Sequence, residues 1–239
     1  MKYRERTYRN KVSDNSLISF NVCVRETDLF IRSDKNLLDA ALRSVYKYRG
    51  YIESYIKHHP DFLTSLNPIT DDKFAPPIVR DMLKTSSMVG VGPMASVAGA
   101  IAEYVGIDLL DSSCNVIVEN GGDIFLNSES DITIAIFAGD SPLSYKLRLR
   151  LKSEQMPMGV CTSSGTVGHS LSFGKADAIC VLSKSATMAD AAATAVGNLL
   201  KNKFDIERAL KKGVEIEGVE GIVIIMGESF GAIGEVELI

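Results

Sequence analysis

An acid and a hydroxyl four residues apart, Asp190 and Thr194, lie in an alanine-rich segment that is predicted to be a helix. Residues at this spacing share one helix face, so the carboxylate and the hydroxyl would lie about one turn apart. Mg²⁺ is usually bound by one or two carboxylates together with the phosphates of a substrate, so this oxygen-only pair suits it. Asp190 could instead cap or solvate the start of a helix, with Thr194 packing against its neighbours. The spacing leaves both a metal site and a structural role open.

A loop of small residues precedes this helix and is rich in hydroxyl and bare N–H groups. Its members are Thr162, Ser163, Ser164, Gly165, Thr166 and Gly168. Small residues let the backbone approach a ligand, and such groups can donate hydrogen bonds to phosphate oxygens. His169 follows in the same loop and could accept a proton from a reacting hydroxyl, because imidazole titrates near neutral pH. A lone histidine in such a loop can also serve as a structural hydrogen-bonding residue.

A third candidate is the turn Gly121-Gly122-Asp123, which interrupts an apolar strand pattern between residues 115–118 and 124–126. Two glycines inside a strand pattern indicate a bulge, a bend or the close approach of a ligand. The turn, the small-residue loop and the helix together favour a nucleotide–magnesium site, provided that the fold brings them to one place.

Composition limits the classes of partner. The chain has 239 residues and a formal net charge of −4, which does not favour nucleic acid. Its four cysteines are widely spaced without a C-x-x-C pair, a pattern typical of reduced, mostly buried residues. The N-terminus lacks an apolar signal region, and no run of 18 uncharged apolar residues occurs. We therefore expect a cytoplasmic protein with no membrane partner.

The elements that must position these residues follow from periodicity and turn signals. The pattern predicts an α+β fold in a single domain of mixed β-sheets and packed helices. Its parts would be an N-terminal hairpin and helix over residues 16–58, a lid or linker over 60–77, a motif-bearing core over 89–200 and C-terminal strands over 221–238. Within these parts we expect a helix over 93–105, beginning at Pro93, and an edge strand over 233–238.

Three motifs, in this order and spacing, resemble those of the ApbE superfamily of flavin transferases, and more closely its cytoplasmic branch in archaea and bacteria. Asn120-Gly121-Gly122-Asp123-Ile124 resembles the family's N-x-G-G-D/E-I turn. The stretch Cys161-Thr162-Ser163-Ser164-Gly165 with His169 resembles its T-S-G loop and following histidine. The segment 189–195, ADAAATA, resembles its A-D-A-x-x-T-A helix.

The resemblance implies that FAD is the substrate, that Mg²⁺ binds at the pyrophosphate, and that FMN passes to a Thr or Ser hydroxyl of an acceptor protein as AMP leaves. Asp190 and Thr194 would then be the metal ligands, and His169 would lie in the region of the base. The residues that match flavin-nucleotide contacts are Gly121, Gly122, Asp123, Thr162, Ser163, Ser164 and Gly165. Phosphoryl transfer depends mainly on charge neutralisation and alignment, which such a site supplies.

The chain also departs from the transferase pattern. It has Ala95-Ser96-Val97 where transferases carry A-K-G, and Ser172-Phe173 where they carry Asp-Pro. Two hypotheses therefore stand: an enzyme that transfers FMN or cleaves FAD at the pyrophosphate, and a non-catalytic protein that binds a flavin, a nucleotide or another metabolite. An oligomeric structural protein without a ligand is a third.

Overall fold

Two antiparallel sheets form the framework in residues 17–165 and 174–239, which the computed structural model describes. The strands, in chain order, are β1 (Ile18–Val24), β2 (Thr27–Ser33), β3 (Val116–Asn120), β4 (Asp123–Asn127), β5 (Ile132–Ala135), β6 (Arg148–Leu151), β7 (Met158–Ser163), β8 (Ala178–Ser183), β9 (Val219–Met226), β10 (Ser229–Gly234) and β11 (Glu237–Leu238). The larger sheet has the order β1-β2-β3-β4-β7-β8-β9-β10, and the smaller has the order β11-β6-β5.

Six α-helices accompany the sheets in the same part of the chain. They are α1 (Leu38–His58), α2 (Asp61–Thr64), α3 (Pro77–Val89), α4 (Val97–Leu110), α5 (Ala186–Gly197) and α6 (Ile206–Val214). Short 3-10 turns occur at Pro93–Ser96, Ser153–Gln155 and Lys203–Asp205. The α+β class that the sequence predicts is confirmed.

The larger sheet separates two apolar cores, and the strand alternation assigns side chains to one or the other. Along β7, Cys161 belongs to the core on the helix-covered face, whereas Met158 and Val160 belong to the core shared with the smaller sheet. Successive side chains of a strand point to opposite faces, so this alternation decides which polar residues can meet the helices.

Helix α4 is the most apolar of the elements that bear on the site. By length and composition alone, Pro93–Leu110 is the one segment of the described ranges that could span a membrane, with a mean hydropathy of 1.3. Half of this segment is buried inside the fold, between α1, α5 and the sheet. A core helix passes the same test, and the packing of α4 accounts for its composition.

Two predicted boundaries were wrong. The helix expected over 93–105 begins as a 3-10 turn and becomes α4 at Val97, continuing to Leu110. The edge strand expected over 233–238 is divided: β10 ends at Gly234, and β11 pairs with β6 in the other sheet. Gly234 has a φ of +85°, and the N–H of Glu235 donates to the carbonyl of Glu220 at 2.8 Å, so the chain turns away from the larger sheet there.

Candidate functional site

The twin-glycine turn joins β3 to β4 and places two polar side chains on the helix-covered face of the sheet. Asn120 pairs with Asp123 across the turn, and Asp123 pairs in turn with Cys161 on β7. Because Phe125, two residues after Asp123, belongs to the helix-side core, Asp123 points to the same face. The end of the turn and the start of the loop motif therefore lie on adjacent strands of one sheet, β4 and β7.

The backbone of the turn explains why both positions are glycine. Gly121 has a φ of +71° and Gly122 a φ of +108°, conformations that side chains disfavour. The N–H of Gly122 donates to Oε1 of Glu119 at 2.8 Å, which holds the turn in this form. A Cβ added to Gly122 would have no contact shorter than 3.7 Å, to the carbonyl oxygen of Thr162, so conformation and not crowding demands glycine there.

Helix α5 lies tightly against α4 and β7 because small residues meet at the crossing. A Cβ on Gly99 would lie 2.3 Å from the carbonyl oxygen of Ala186, and one on Gly159 would lie 2.3 Å from its Cα. Backbone contacts this close leave no room for a larger residue. The approach brings Asp190 of α5 to the first turn of α4.

Asp190 caps α4, a helix from a different part of the chain. The N–H of Gly99 donates to Oδ2 of Asp190 at 2.9 Å, and α4 has no side-chain cap of its own at Ser96. On the neighbouring strand, Nδ2 of Asn120 donates to the carbonyl oxygen of Ala98 at 3.1 Å. The first turn of α4 thus connects the acid of the helix motif to the polar residues of the turn motif.

Glu103 of α4 caps α5 in return. One oxygen of its carboxylate, Oε2, accepts hydrogen bonds from the hydroxyl of Ser185 at 2.9 Å and from the N–H and hydroxyl of Thr187 at 2.8 and 2.7 Å. Sequence reasoning missed this residue, and its signal was a carboxylate within a mainly apolar helix, in which Asp108 is the other acid. The two helices therefore fix each other's ends, and with them the position of Asp190.

Asp123 and Asp190 are a pair of poorly hydrated carboxyls. Burial raises the pKa of Asp123 well above its ordinary value, and the charge of Asp190 raises it further. Burial also raises the pKa of Asp190 to about 7, against hydrogen bonds from the N–H groups of Gly99 and Ala98, which favour the ionised form. Within residues 17–165 and 174–239, no lysine or arginine forms a salt bridge with either carboxyl.

The hydroxyl of Ser163 is buried and has no hydrogen-bond partner among the described residues. It lies two positions beyond Cys161 on β7, and therefore on the face that carries Asp123. Leaving a buried hydroxyl without a partner costs about 1–3 kcal/mol, so a group that accepts from or donates to it would be stabilised here.

The other predicted contacts are distributed around this centre. The side chain of Thr162 points to the opposite face, where it is hydrogen-bonded to that of Cys180, although its N–H is hydrogen-bonded to the carboxylate of Asp123. Ser164 and Gly165 follow the end of β7, and the N–H of Gly165 donates to the carbonyl of Ala176 at 2.9 Å. A Cβ on Gly165 would lie 2.0 Å from the carbonyl oxygen of Gly174, which is a structural reason for this glycine.

Thr194 is buried on α5, one turn after Asp190. His169, together with Thr166 and Gly168, lies outside the described residues. In the described ranges, no group of three or more His, Cys, Asp or Glu side chains could hold a metal by itself. The donors present, two carboxylates and a threonine hydroxyl, are oxygen atoms that fit Mg²⁺ when a substrate supplies the remaining ligands.

Comparison with known proteins finds similar sequences over nearly the whole chain. A family model described as AbpE bacteria matches residues 9–238. A UPF0280 protein of Methanococcus aeolicus is 41% identical over 226 residues, which cover 92% of this chain and 91% of that protein. The UPF0280 protein of Methanocaldococcus jannaschii is 42% identical over 221 residues, 90% of each chain.

Solved structures with a similar fold are more distant in sequence. The apo form of the flavinyl transferase ApbE of Pseudomonas stutzeri superposes with a TM-score of 0.59 at 14% identity, covering 91% of this chain and 94% of that one. The ApbE protein of Thermotoga maritima gives a TM-score of 0.54 at 12% identity, covering 90% and 96%. At such identities the likeness shows a shared fold.

Proposed function

Because this chain belongs to the family described as AbpE bacteria, we propose that it is a flavin-nucleotide enzyme that acts on the pyrophosphate of FAD with Mg²⁺. The reaction transfers FMN to a Thr or Ser hydroxyl of an acceptor protein and releases AMP. The fold shared with flavin transferases of low sequence identity supports the flavin class of ligand, and the described residues support the site.

One observation carries the proposal: a buried carboxylate, Asp123, and a half-buried one, Asp190, come from two separate motifs and share a site without a basic partner among the described residues. Two like charges so placed are stable only if they hold a proton or a cation. A purely structural acid that caps a helix needs no second buried acid beside it. A divalent cation with phosphate oxygens satisfies the pair.

The roles of the residues follow from their positions. Asp190 and Thr194 would hold Mg²⁺, which would neutralise charge on the transferred phosphoryl group when bound. The N–H group of Gly99 donates to Oδ2 of Asp190 and keeps this carboxylate oriented. The hydroxyl of Ser163 binds the nucleotide from the strand side. His169, as the sequence predicts, takes the proton of the acceptor hydroxyl.

The second candidate, a non-catalytic flavin-binding protein, has one observation in its favour. Where transferases carry A-K-G, this chain has Ala95-Ser96-Val97, at the junction of the 3-10 turn and α4. Ser96 there is buried, and its hydroxyl donates to the carbonyl of Pro93 at 2.9 Å, so this stretch presents no cationic side chain to a phosphate. Such a protein would bind FAD without releasing AMP.

Incubation of the purified protein with FAD, with Mg²⁺ or with EDTA, separates the two candidates. The enzyme should release AMP only with Mg²⁺, and covalent flavin should appear on an acceptor protein or peptide. Asp190→Asn and Asp123→Asn should abolish AMP release, whereas Asp111→Asn, which changes an exposed acid at the end of α4, should not. Full turnover by Asp190→Asn would contradict the proposal, and FAD binding without any AMP would establish the second candidate.

A further inference from the structure

A basic surface with an exposed aromatic ring adjoins the carboxyl-terminal end of α5. Residues 201–212 contain five basic and two acidic residues, a net charge of +3 in a chain whose formal net charge is −4. The two acids are already paired, Asp205 with Arg208 at 2.7 Å and Glu207 with Lys211 at 2.6 Å. Lys201, Lys203 and Lys212 form no salt bridge within the part of the chain that the structure describes.

Phe204 is the apolar centre of this surface. Its side chain is 85% exposed, and the ammonium of Lys203 lies 5.5 Å from the centre of its ring. The turn that carries it is held by its own hydrogen bonds: Phe204 N–H donates to Oδ1 of Asn202 at 3.0 Å, and the N–H groups of Lys201 and Asn202 donate to Oδ2 of Asp205 at 3.0 and 3.1 Å. An aromatic ring on a rigid turn can anchor a partner with little loss of backbone entropy.

The surface follows the carboxyl-terminal end of α5, the helix that bears two of the candidate site residues. Gly174 approaches Gly197 so closely that a Cβ on Gly174 would lie 2.1 Å from its carbonyl oxygen, and Lys175 N–H donates to the carbonyl of Leu200 at 3.0 Å. Asp190 and Gly197 are seven residues apart on α5, a rise of about 10 Å. A partner bound at Lys201, Lys203 and Phe204 would therefore lie next to the end of the helix that bears Asp190 and Thr194.

From this charge and position we infer that the surface of Lys201, Lys203 and Phe204, here called the Lys201 surface, binds an acidic and apolar segment of the acceptor protein. The inference rests on the proposed transfer of FMN to a protein. Complementary charge favours an acidic partner, and the exposed ring requires an apolar residue opposite it. An anionic membrane is disfavoured, because polybasic lipid-binding segments use about four to eight Lys or Arg, more than the three unpaired lysines here.

The test uses two short fluorescent peptides that share a central Thr, one flanked by Asp, Glu and Leu, the other with Lys in place of the acids. Binding is followed by fluorescence anisotropy without FAD, so that no transfer occurs. The wild-type protein should prefer the acidic peptide, with an affinity that falls as salt rises. Lys201→Glu combined with Lys203→Glu should weaken this binding by about tenfold or more, since it converts two attractions into repulsions. Phe204→Ala should also weaken it.

The matched control is Lys84→Glu with Lys146→Glu, which makes the same change of charge at two exposed lysines elsewhere on the chain. Equal weakening by the control, equal binding of both peptides, or binding to phosphatidylserine vesicles that needs the same residues would overturn the inference. FMN transfer is then measured with FAD and Mg²⁺ on the acidic peptide. Specific peptide binding without any FMN transfer would support the Lys201 surface as a binding site and contradict the proposed reaction. FMN transfer at the same rate in the Lys201 surface variants would support the reaction and contradict the role of the surface.

Discussion

The stability of this protein should depend on pH partly through Asp190, and Asp190→Asn should reduce that dependence. The pKa of this carboxyl rises from an ordinary 3.8 to about 7 because the group is poorly hydrated in the fold. An acid with a raised pKa in the folded state holds its proton more tightly there than in the unfolded chain. Its burial is therefore not penalised below pH 3.8; the penalty grows as the pH rises to about 7 and is constant above that value.

The size of the effect follows from the shift. Each pKa unit is worth 1.36 kcal/mol, so a shift from 3.8 to about 7 corresponds to at most about 4 kcal/mol of folding free energy. Asparagine has nearly the same shape, and its oxygen can still accept the hydrogen bond from Gly99. Its amide carries no charge, so the variant avoids the penalty and also removes the like charge beside Asp123.

Urea unfolding in EDTA at pH 5 and pH 8 measures the free energy of unfolding of the wild-type protein, Asp190→Asn and the control Asp111→Asn. The wild-type protein and the control should lose stability relative to Asp190→Asn as the pH rises. At pH 8, Mg²⁺ and a nucleotide at one hundred times their Kd should raise the free energy of unfolding of the wild-type protein by about 2.7 kcal/mol. The free energy of unfolding of Asp190→Asn should not change. If the difference between wild type and Asp190→Asn is the same at both pH values, the reasoning about this buried pair is wrong.

Three further variants test the structure around the pair. Glu103→Gln should lower the free energy of unfolding by about 1–2 kcal/mol, because the side chain loses the charge that accepts three hydrogen bonds. The variant should also need a higher Mg²⁺ concentration for AMP release. An unchanged metal dependence would show that Glu103 does not position Asp190. Gly122→Ala should cost about 1–3 kcal/mol in urea unfolding, since its φ is +108°, and a neutral result would contradict the turn geometry. Ser163→Ala should leave the free energy of unfolding unchanged or raise it by about 1 kcal/mol, because the hydroxyl has no partner among the described residues. The variant should nevertheless bind FAD more weakly in calorimetry. An unaltered affinity would exclude Ser163 from the ligand site.

Several features of this protein follow from local chemistry that the sequence states directly. Two adjacent glycines within a strand pattern indicate a bulge, a bend or the close approach of a ligand, and the structure shows a turn in which both have positive φ values. The alanine-rich segment after Ser185 predicts a helix, and α5 begins there with Ser185 accepting a hydrogen bond from Met188 N–H at 3.2 Å. The order of the three motifs indicates the family for the same reason, since each motif is a local pattern.

Only the tertiary structure shows which residues that are distant in sequence contact each other. That Asp190 caps α4 at Gly99, 91 residues away, depends on the close crossing of two helices, which no local pattern encodes. That Ser163 and not the side chain of Thr162 faces the acids depends on the register of β7 against β4, because a shift of one residue exchanges the two faces of a strand. The raised pKa of Asp190 has the same origin: the burial that raises it is a property of the assembled fold, and the titration of a side chain depends on what surrounds it in space.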